Sequence, residues 1–444
     1  MLLRTLFAAG LVVATAAPAV HAQPTSPAPA PTPAAAPLTL DEAVRRAIAV
    51  SEDVRIAQAR SGQAAAAIGR ARSALLPSVV ATGNYNRRAR SVTRDDVTIQ
   101  STNAFGASLT AATRLFDARA YPLLRAARRD RDAAVLDERA AQRTIAFDTA
   151  AAYIAALAQE QVVEAALRRR ELAVARRRDV AARVEAKLVS TNDQTQADLE
   201  LATADRDLAT TQASLAVAYA ELAWWVGGPV TGPLVEPPGF TALAAAPPPP
   251  VAALATDARR VRPDLGAARV RIDVAEELAK EPARRALPII DLIGQLRVTN
   301  EAGFAGRNHD WLIGVTATWE LWDGGERAAD SRIRALDVEI ARLNLGAAER
   351  RTDVDLSAGV ARLRGAQAAL TPAQEGAAAA ARNTDEVAVL YQQGLIRAFD
   401  VVDASARRFD ADIALVRARL DLAAAWLDLA EAAGAGPVPG QELP

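Results

Sequence analysis

The sequence predicts a mainly α-helical, internally duplicated chain in which two pairs of strands contribute to a transmembrane β-barrel. Three observations predict this class. The 444 residues are 51% hydrophobic but only 4% aromatic, and alanine is the commonest residue, which suits long, closely packed helices better than one large globular core. Landmarks in the first half of the chain recur, in the same order, in the second. In each half a block of period-two alternation precedes a very long helical stretch, from 117 to 187 and from 323 to 393.

Composition also excludes function classes. A net charge of −1 and a pI near 6.3 lack the basic footprint of a nucleic-acid binder. Runs such as Arg168 to Arg170 and Arg176 to Arg178 are flanked by Glu164, Glu171 and Asp179 and read as solvated helix faces. There is no cysteine, so no thiolate nucleophile, disulfide or Cys/His metal cluster is available. A serine triad would depend on His309 alone, in the loop-like "AGRNHDW". No catalytic residue, cofactor or metal is expected.

The chain opens with "MLLRTLFAAGLVVATAAPAVHA", a basic residue, an apolar run and small residues before a cleavage point after Ala22. Residues 1–22 therefore read as a cleaved export signal. Without cysteine, no lipid anchor forms at the mature N-terminus. Beyond the leader no run of 18 or more uncharged apolar residues occurs, so any membrane crossing has to be made by strands. Residues 23–37 are a Pro/Ala-rich linker and residues 229–256 a second, Pro/Gly-rich one. They frame repeats over 38–228 and 257–434, followed by a tail over 435–444.

The repeats match at Asp53 and Asp264, at Pro77 and Pro288, at "RLFDAR" and "ELWDGG", and at "AKLVSTND" and "QGLIRAFD". Each reads helix, two strands, long helix, turn, helix. Thr39 and Glu42 form a capping box that opens the first helix. Pro77 and Pro288 end the incoming helices. Strands follow over about 78–87 and 104–115, then 289–299 and 310–321. In "DWLIGVTATWELW", Trp311, Ile313, Val315 and Trp319 fall on one side against Gly314, Thr316 and Thr318; Phe105 and Leu109 likewise oppose Ser108 and Thr110. About ten residues, apolar on one side and small or polar on the other, fit a barrel strand with those six apolar residues facing lipid. A soluble half-buried hairpin shows the same alternation.

Pro372 is expected to kink the second long helix. The last helix carries two apolar stripes. One runs Val402, Ala406, Phe409, Ile413, Val416, Leu420, Ala423, Leu427, and the other Leu415, Leu422, Leu429. Such a helix needs neighbours on both sides, as a stave does in a closed wall. Four strands cannot close a barrel and open edges cannot face lipid, so copies must join: two give eight strands, three give twelve. The alternative is an exported soluble coiled-coil scaffold or adaptor, which accounts for the helices but not for the paired strand blocks.

The ordered motifs "LTLDEAVRRAI", "LP" before each strand pair, "LFDAR" and "LWDGG" after them, and "GLIRAFDVVDA" at the second turn resemble the TolC family of outer-membrane efflux proteins over residues 38 to 434. The resemblance implies a homotrimer in which a twelve-stranded barrel in outer-membrane lipid continues as a periplasmic α-helical barrel. It implies a passive conduit for drugs, metals or polypeptides in a tripartite pump or type I secretion system, served by a periplasmic adaptor and an inner-membrane transporter. It also implies that the turns at Lys187–Leu188 and Gly394–Leu395 are periplasmic tips that contact the adaptor. Lys187 departs from the family's usual glycine. Asp400 and Asp403, three apart on one helix face, read by themselves as a first turn favouring the positive dipole end. With Tyr391 they match the family's periplasmic gate. The family's basic latch residue is replaced by Ile396.

Overall fold

The computed structural model describes residues 37–94, 97–230, 232–237, 246–301 and 307–438. The expected export signal, nearly all of the first linker, and parts of the second linker, of the 299–310 loop and of the tail lie outside the described residues. Among the described residues no helix is long and apolar enough to cross a membrane.

Each repeat opens on two helices where the sequence reading expected one. α1 (Leu40–Val50) and α2 (Glu52–Ser73) meet at Ser51, whose hydroxyl accepts from the N–H of Val54 at 3.4 Å. Later in the chain α5 (Val251–Val261) and α6 (Pro263–Ala279) meet at Arg262. Pro263 supplies the break there, because it drives the preceding residue out of the helical region and has no N–H to continue α5. α5 begins inside the linker expected over 229–256. The capping box at the start of α1 is half formed. Thr39 accepts from the N–H of Glu42 at 3.4 Å, but the Glu42 carboxylate turns to Arg45 and Arg46 at 2.8 and 2.7 Å instead of returning to the cap.

After α2 come β1 (Ser78–Arg87), a small hairpin of β2 (Val92–Arg94) and β3 (Val97–Gln100), and β4 (Asn103–Phe116). The long helix α3 (Ala120–Glu185) follows, and α4 (Thr191–Val226) returns from it. After α6, a short turn α7 (Glu281–Arg284) leads to β5 (Ile289–Thr299) and β6 (His309–Thr318), then to α8 (Glu326–Gln392) and α9 (Ala398–Ala433). α8 runs unbroken through Pro372. β6 stops at Thr318, so Trp319 lies just past the strand expected to contain it, and its indole N–H donates to the Ala286 carbonyl at 3.0 Å.

One antiparallel sheet has the order β1-β4-β5-β6. Side chains directly opposite across antiparallel strands share a face, so the register sorts the residues. Ala81, Leu109, Leu296 and Trp311 form one row, and Val79, Ala111, Gly294 and Ile313 the next but one. Phe105, opposite Tyr85, and Val315, opposite Leu292, belong to the same face. The other face carries Thr82, Ser108 and Arg297 in one row and Asn84, Gly106 and Thr299 in another. The period-two pattern of four separate segments thus becomes one apolar and one polar surface.

The helices bury two cores on either side of α9. Ala423, Leu427 and Ala430 pack with Tyr153, Ile154 and Leu222 of α3 and α4, while Leu422, Ala425 and Leu429 pack with Leu356, Val360 and Leu363 of α8. The two stripes of the last helix therefore each meet a neighbour, and each fully buried leucine contributes about 1.5–3 kcal/mol. Tyr153 ties the chain entry and the inter-repeat segment to α3. Its hydroxyl lies 2.7 Å from the carbonyls of both Leu38 and Val235 and accepts from the N–H of Val235 at 3.0 Å.

Candidate functional site

Both long helices end in the same left-handed closure. At the end of α8, Gly394 has φ 75°, its N–H donates to the Tyr391 carbonyl at 3.0 Å, and the Leu395 N–H reaches back to Leu390 at 3.0 Å. At the end of α3 the same two bonds run from Lys187 to Val184 at 2.9 Å and from Leu188 to Arg183 at 2.8 Å. This is the paired bonding that satisfies the last carbonyls of a helix. Lys187 adopts φ 57°, so the missing glycine leaves the turn's shape intact and is met with backbone strain instead. Leu188 and Leu395 project outward, 75% and 66% exposed.

The helices leaving the tips start alike. The Asp193 carboxylate accepts from the N–H of Ser190 at 3.0 Å, and Asp400 accepts from the N–H of Arg397 at 3.0 Å. One oxygen of Asp400 therefore serves the first turn. Asp403 pairs with Arg407 at 2.9 Å on the same helix. The two aspartates stay partly exposed, at 40% and 42%.

Tyr391, unlike the two aspartates, is buried, at 7% exposed. It is packed with Val180, Ala197, Ala398 and Val401, and the guanidinium groups of Arg176 and Arg183 lie over its ring at 5.5 and 5.4 Å. Burial, and secondarily the charge of Asp193, push its hydroxyl up from the ordinary tyrosine range. That hydroxyl has no hydrogen-bond partner among the described residues.

Arg176 also forms one of two interhelical ion pairs that sequence reading passed over, whereas Arg183 pairs with Asp179 on its own helix at 3.0 Å. Arg169 pairs with Asp207 at 2.5 Å and lies over the Phe409 ring at 5.0 Å; Arg176 pairs with Glu200 at 3.2 Å. Arg169, Arg176 and Arg183 recur every seven residues on α3, as do Asp207, Glu200 and Asp193 on α4. That double period was visible in the sequence. Read as solvated runs, these side chains instead stitch the first hairpin and hold aromatic residues of the second.

On the strands Phe105, Leu109, Ile313, Val315 and Trp311 all share the apolar face and are exposed, from 47% at Leu109 to 72% at Ile313. Trp319, 61% exposed, sits at the end of that surface. No cluster of carboxylate and histidine side chains able to hold a metal ion occurs among the described residues.

Long paired helices joined to a four-stranded sheet with a bare apolar face are the fold of outer-membrane channels. The chain superposes on the CmeC outer-membrane channel of Campylobacter jejuni with a TM-score of 0.73 at 18% identity, covering 89% of this chain and 85% of that one. For the open state of the Neisseria gonorrhoeae MtrE channel the TM-score is 0.73 at 20% identity, covering 90% and 89%. For the outer-membrane protein VceC of Vibrio cholerae it is 0.69 at 18%, covering 89% and 96%. At such identities the likeness is one of fold. No curated protein sequence matches. The outer membrane efflux protein family matches residues 43–228 and 254–435, one stretch per repeat, and the chain belongs to that family. It is an outer-membrane efflux channel protein and not an enzyme.

Proposed function

We propose that three copies of the chain form a passive conduit of a tripartite efflux pump or type I secretion system, running from the periplasm through the outer membrane. The observation that carries the reading is the register of the sheet. It gathers most of the large apolar residues of the four strands on one face and leaves β1 and β6 with unpaired edges, a combination stable in lipid only when copies close a barrel. Three copies supply twelve strands. The apolar face meets lipid through Phe105, Leu109, Trp311, Ile313 and Val315, with Trp319 at its border.

The paired helices then extend into the periplasm, and the turns at Lys187–Leu188 and Gly394–Leu395 are the ends offered to an adaptor. The exposed Leu188 and Leu395 are its apolar contacts. Asp400 and Asp403 line the mouth, where a ring of carboxylates attracts cations. Arg407 pairs with Asp403 at 2.9 Å and Arg397 approaches Asp400 at 4.0 Å, so each carboxylate is partly offset. Tyr391 acts as the anchor of the second hairpin on the first.

The test is gel mobility and surface labelling of outer-membrane fractions. Unheated protein should run as a folded species that heating converts to the 46.7 kDa chain or its processed form, and an epitope inserted at Arg94 should label on intact cells. Recovery in the soluble periplasmic fraction with no heat-dependent shift would leave only the soluble scaffold.

A further inference from the structure

The charged side chains of β1, β4, β5 and β6 are Arg87, Arg114, Asp291, Arg297 and Asp310, and the register divides them unequally between the two faces. On the polar face Arg114 lies 3.8 Å from Asp291, and Arg297 stands directly opposite Asp310, so these four offset one another. The apolar face holds Arg87 alone, the last residue of β1, directly opposite Asn103. A charge on a lipid-facing strand is costly at the bilayer midplane and almost without cost at the interface. β1 leaves α2 and runs toward the loop, so Arg87 stands at the end remote from the helices. Two residues earlier on the same face is Tyr85, opposite Phe105, the two exposed by 63% and 57%. Aromatic residues mark the border of the apolar band in barrel strands. Arg87 projects one step beyond that border, at the level of lipid headgroups.

The residues around Arg87 leave its donors free. Both Arg87 and Asn103 are exposed, and Arg87 forms no ion pair among the described residues. The next residue, Arg88, is committed instead to the base of the loop. Its N–H donates to the Thr102 carbonyl at 2.7 Å, and its guanidinium pairs with Glu301. Asn103 is held from two sides. The Tyr85 hydroxyl donates to its Oδ1 at 2.9 Å, and the Asn300 amide donates to its backbone carbonyl at 2.7 Å. With Oδ1 occupied, the side chain of Asn103 has only its amide N–H groups left to offer, beside the guanidinium fork of Arg87. Below the aromatic pair the same face is shallow. Gly83 stands opposite Ala107 there, and a side chain added at Gly83 would meet nothing within 4 Å.

We infer that Arg87 and Asn103 form a site for a phosphate-bearing lipid headgroup of the outer leaflet, which rests on the reading that the apolar face meets lipid. A guanidinium fork binds phosphate oxygens through two parallel charge-assisted hydrogen bonds, and the Asn103 amide adds a neutral donor. The arginine stem lies along apolar surface while its head reaches the interface. Donors bordering a continuous apolar face suit a ligand that is anionic at one end and apolar at the other. The depression at Gly83 and Ala107 takes an acyl chain directly beneath the phosphate. The second repeat lacks the arrangement. β1 and β5 begin 211 residues apart, at Ser78 and Ile289, and β4 and β6 begin 206 apart, at Asn103 and His309. These offsets carry Arg87 and Asn103 onto Val298 and His309, which are likewise directly opposite each other. Each chain therefore holds one such site, on its first strand pair.

The test is native mass spectrometry of the protein purified from outer membranes in detergent, titrated with bisphosphorylated lipid A and, separately, with the same lipid dephosphorylated. The phosphorylated form should bind the unsubstituted protein more tightly. Arg87→Gln should weaken that binding about five- to tenfold, the effect of one basic residue near anionic lipid. Arg87→Lys, which keeps the charge but not the fork, should fall between. Arg297→Gln removes the same charge from the polar face and should change nothing. Asn103→Asp sets a carboxylate beside Arg87 and should weaken binding as well, which keeps the site testable if Arg87→Gln fails to assemble. Equal binding of the two lipids, or equal losses in Arg87→Gln and Arg297→Gln, overturns the site. Displacement of the lipid by millimolar inorganic phosphate overturns it too, in favour of a free-phosphate site. Unsubstituted protein that shows a heat-dependent gel shift yet no preference for the phosphorylated lipid overturns the site and leaves the channel reading standing. Unsubstituted protein absent from the outer membrane overturns both.

Discussion

The two tip turns place a lysine and a glycine in one backbone conformation, and that contrast can be measured. Lys187 holds φ 57° without the freedom glycine has there, so Lys187→Gly should stabilise the first hairpin by about 1 kcal/mol. Gly394→Val should cost at least as much at the second, through backbone strain alone because space around it is open. Thermal melts followed by circular dichroism check both. Two buried tyrosines form a second contrast. Tyr153→Phe removes a hydroxyl bonded to Leu38 and Val235 and should cost about 1–3 kcal/mol, whereas Tyr391→Phe removes one with no partner among the described residues and should be close to neutral. Equal losses would mean that Tyr391 finds an acceptor outside its own chain. For the carboxylate mouth, Asp400→Ala/Asp403→Ala should lower cation selectivity in bilayer recordings, and Arg407→Ala should raise it by freeing Asp403. Unchanged selectivity in both would reduce the pair to a helix start.

At the scale of elements, the passage from strand to helix is governed by one carboxylate in each repeat. Asp117, 3% exposed, meets Arg114 and Arg119 at 2.9 Å and accepts the Arg119 N–H at 3.0 Å. Burial alone would raise its pKa, but the bonds from Arg119 outweigh it and hold the carboxyl below its ordinary value. A carboxylate with a depressed folded pKa lends stability that is complete at neutral pH and lost as pH falls through that depressed value. Asp117→Asn should therefore lower the melting temperature at pH 7 and flatten its decline in acid. Asp323 repeats the device, accepting from the N–H groups of Gly325 and Arg327 at 3.1 and 3.0 Å. The sequence motifs "LFDAR" and "LWDGG" mark this joint, with the acid standing three residues before the long helix in each repeat. The break at Ser51 was not legible, since a serine inside a helical pattern is compatible with an unbroken helix until packing decides.

The whole molecule pairs a sheet with one bare apolar face with helices whose outer flanks are likewise uncovered. A charge on the apolar face should separate this arrangement from a soluble one. Ile313→Arg should cost about 2–4 kcal/mol in a bilayer midplane and cut the amount of assembled protein in the outer membrane, while Thr316→Arg on the polar face should not. Equal assembly of both variants would contradict a lipid-facing surface.

By itself the sequence determined the duplication, the long helices that follow each strand pair, the two-sided last helix and the alternation of the strands, because each is a periodicity that neighbouring residues express locally. It also carried the family resemblance, in short motifs at matched places. The tertiary structure decided what depends on residues distant in the chain. Register placed four separately alternating strands on one common face. Antiparallel packing turned Arg169 and Arg176, with Asp207 and Glu200 at the matching heptad positions, from solvated charge into two interhelical ion pairs, while Arg183 pairs with Asp179 on its own helix. Packing between the hairpins buried Tyr391 while leaving Asp400 and Asp403 partly exposed, although all three lie within a dozen or so residues of each other. Periodicity specifies which side of a helix or strand is apolar; only the docking of one element on another specifies what that side meets.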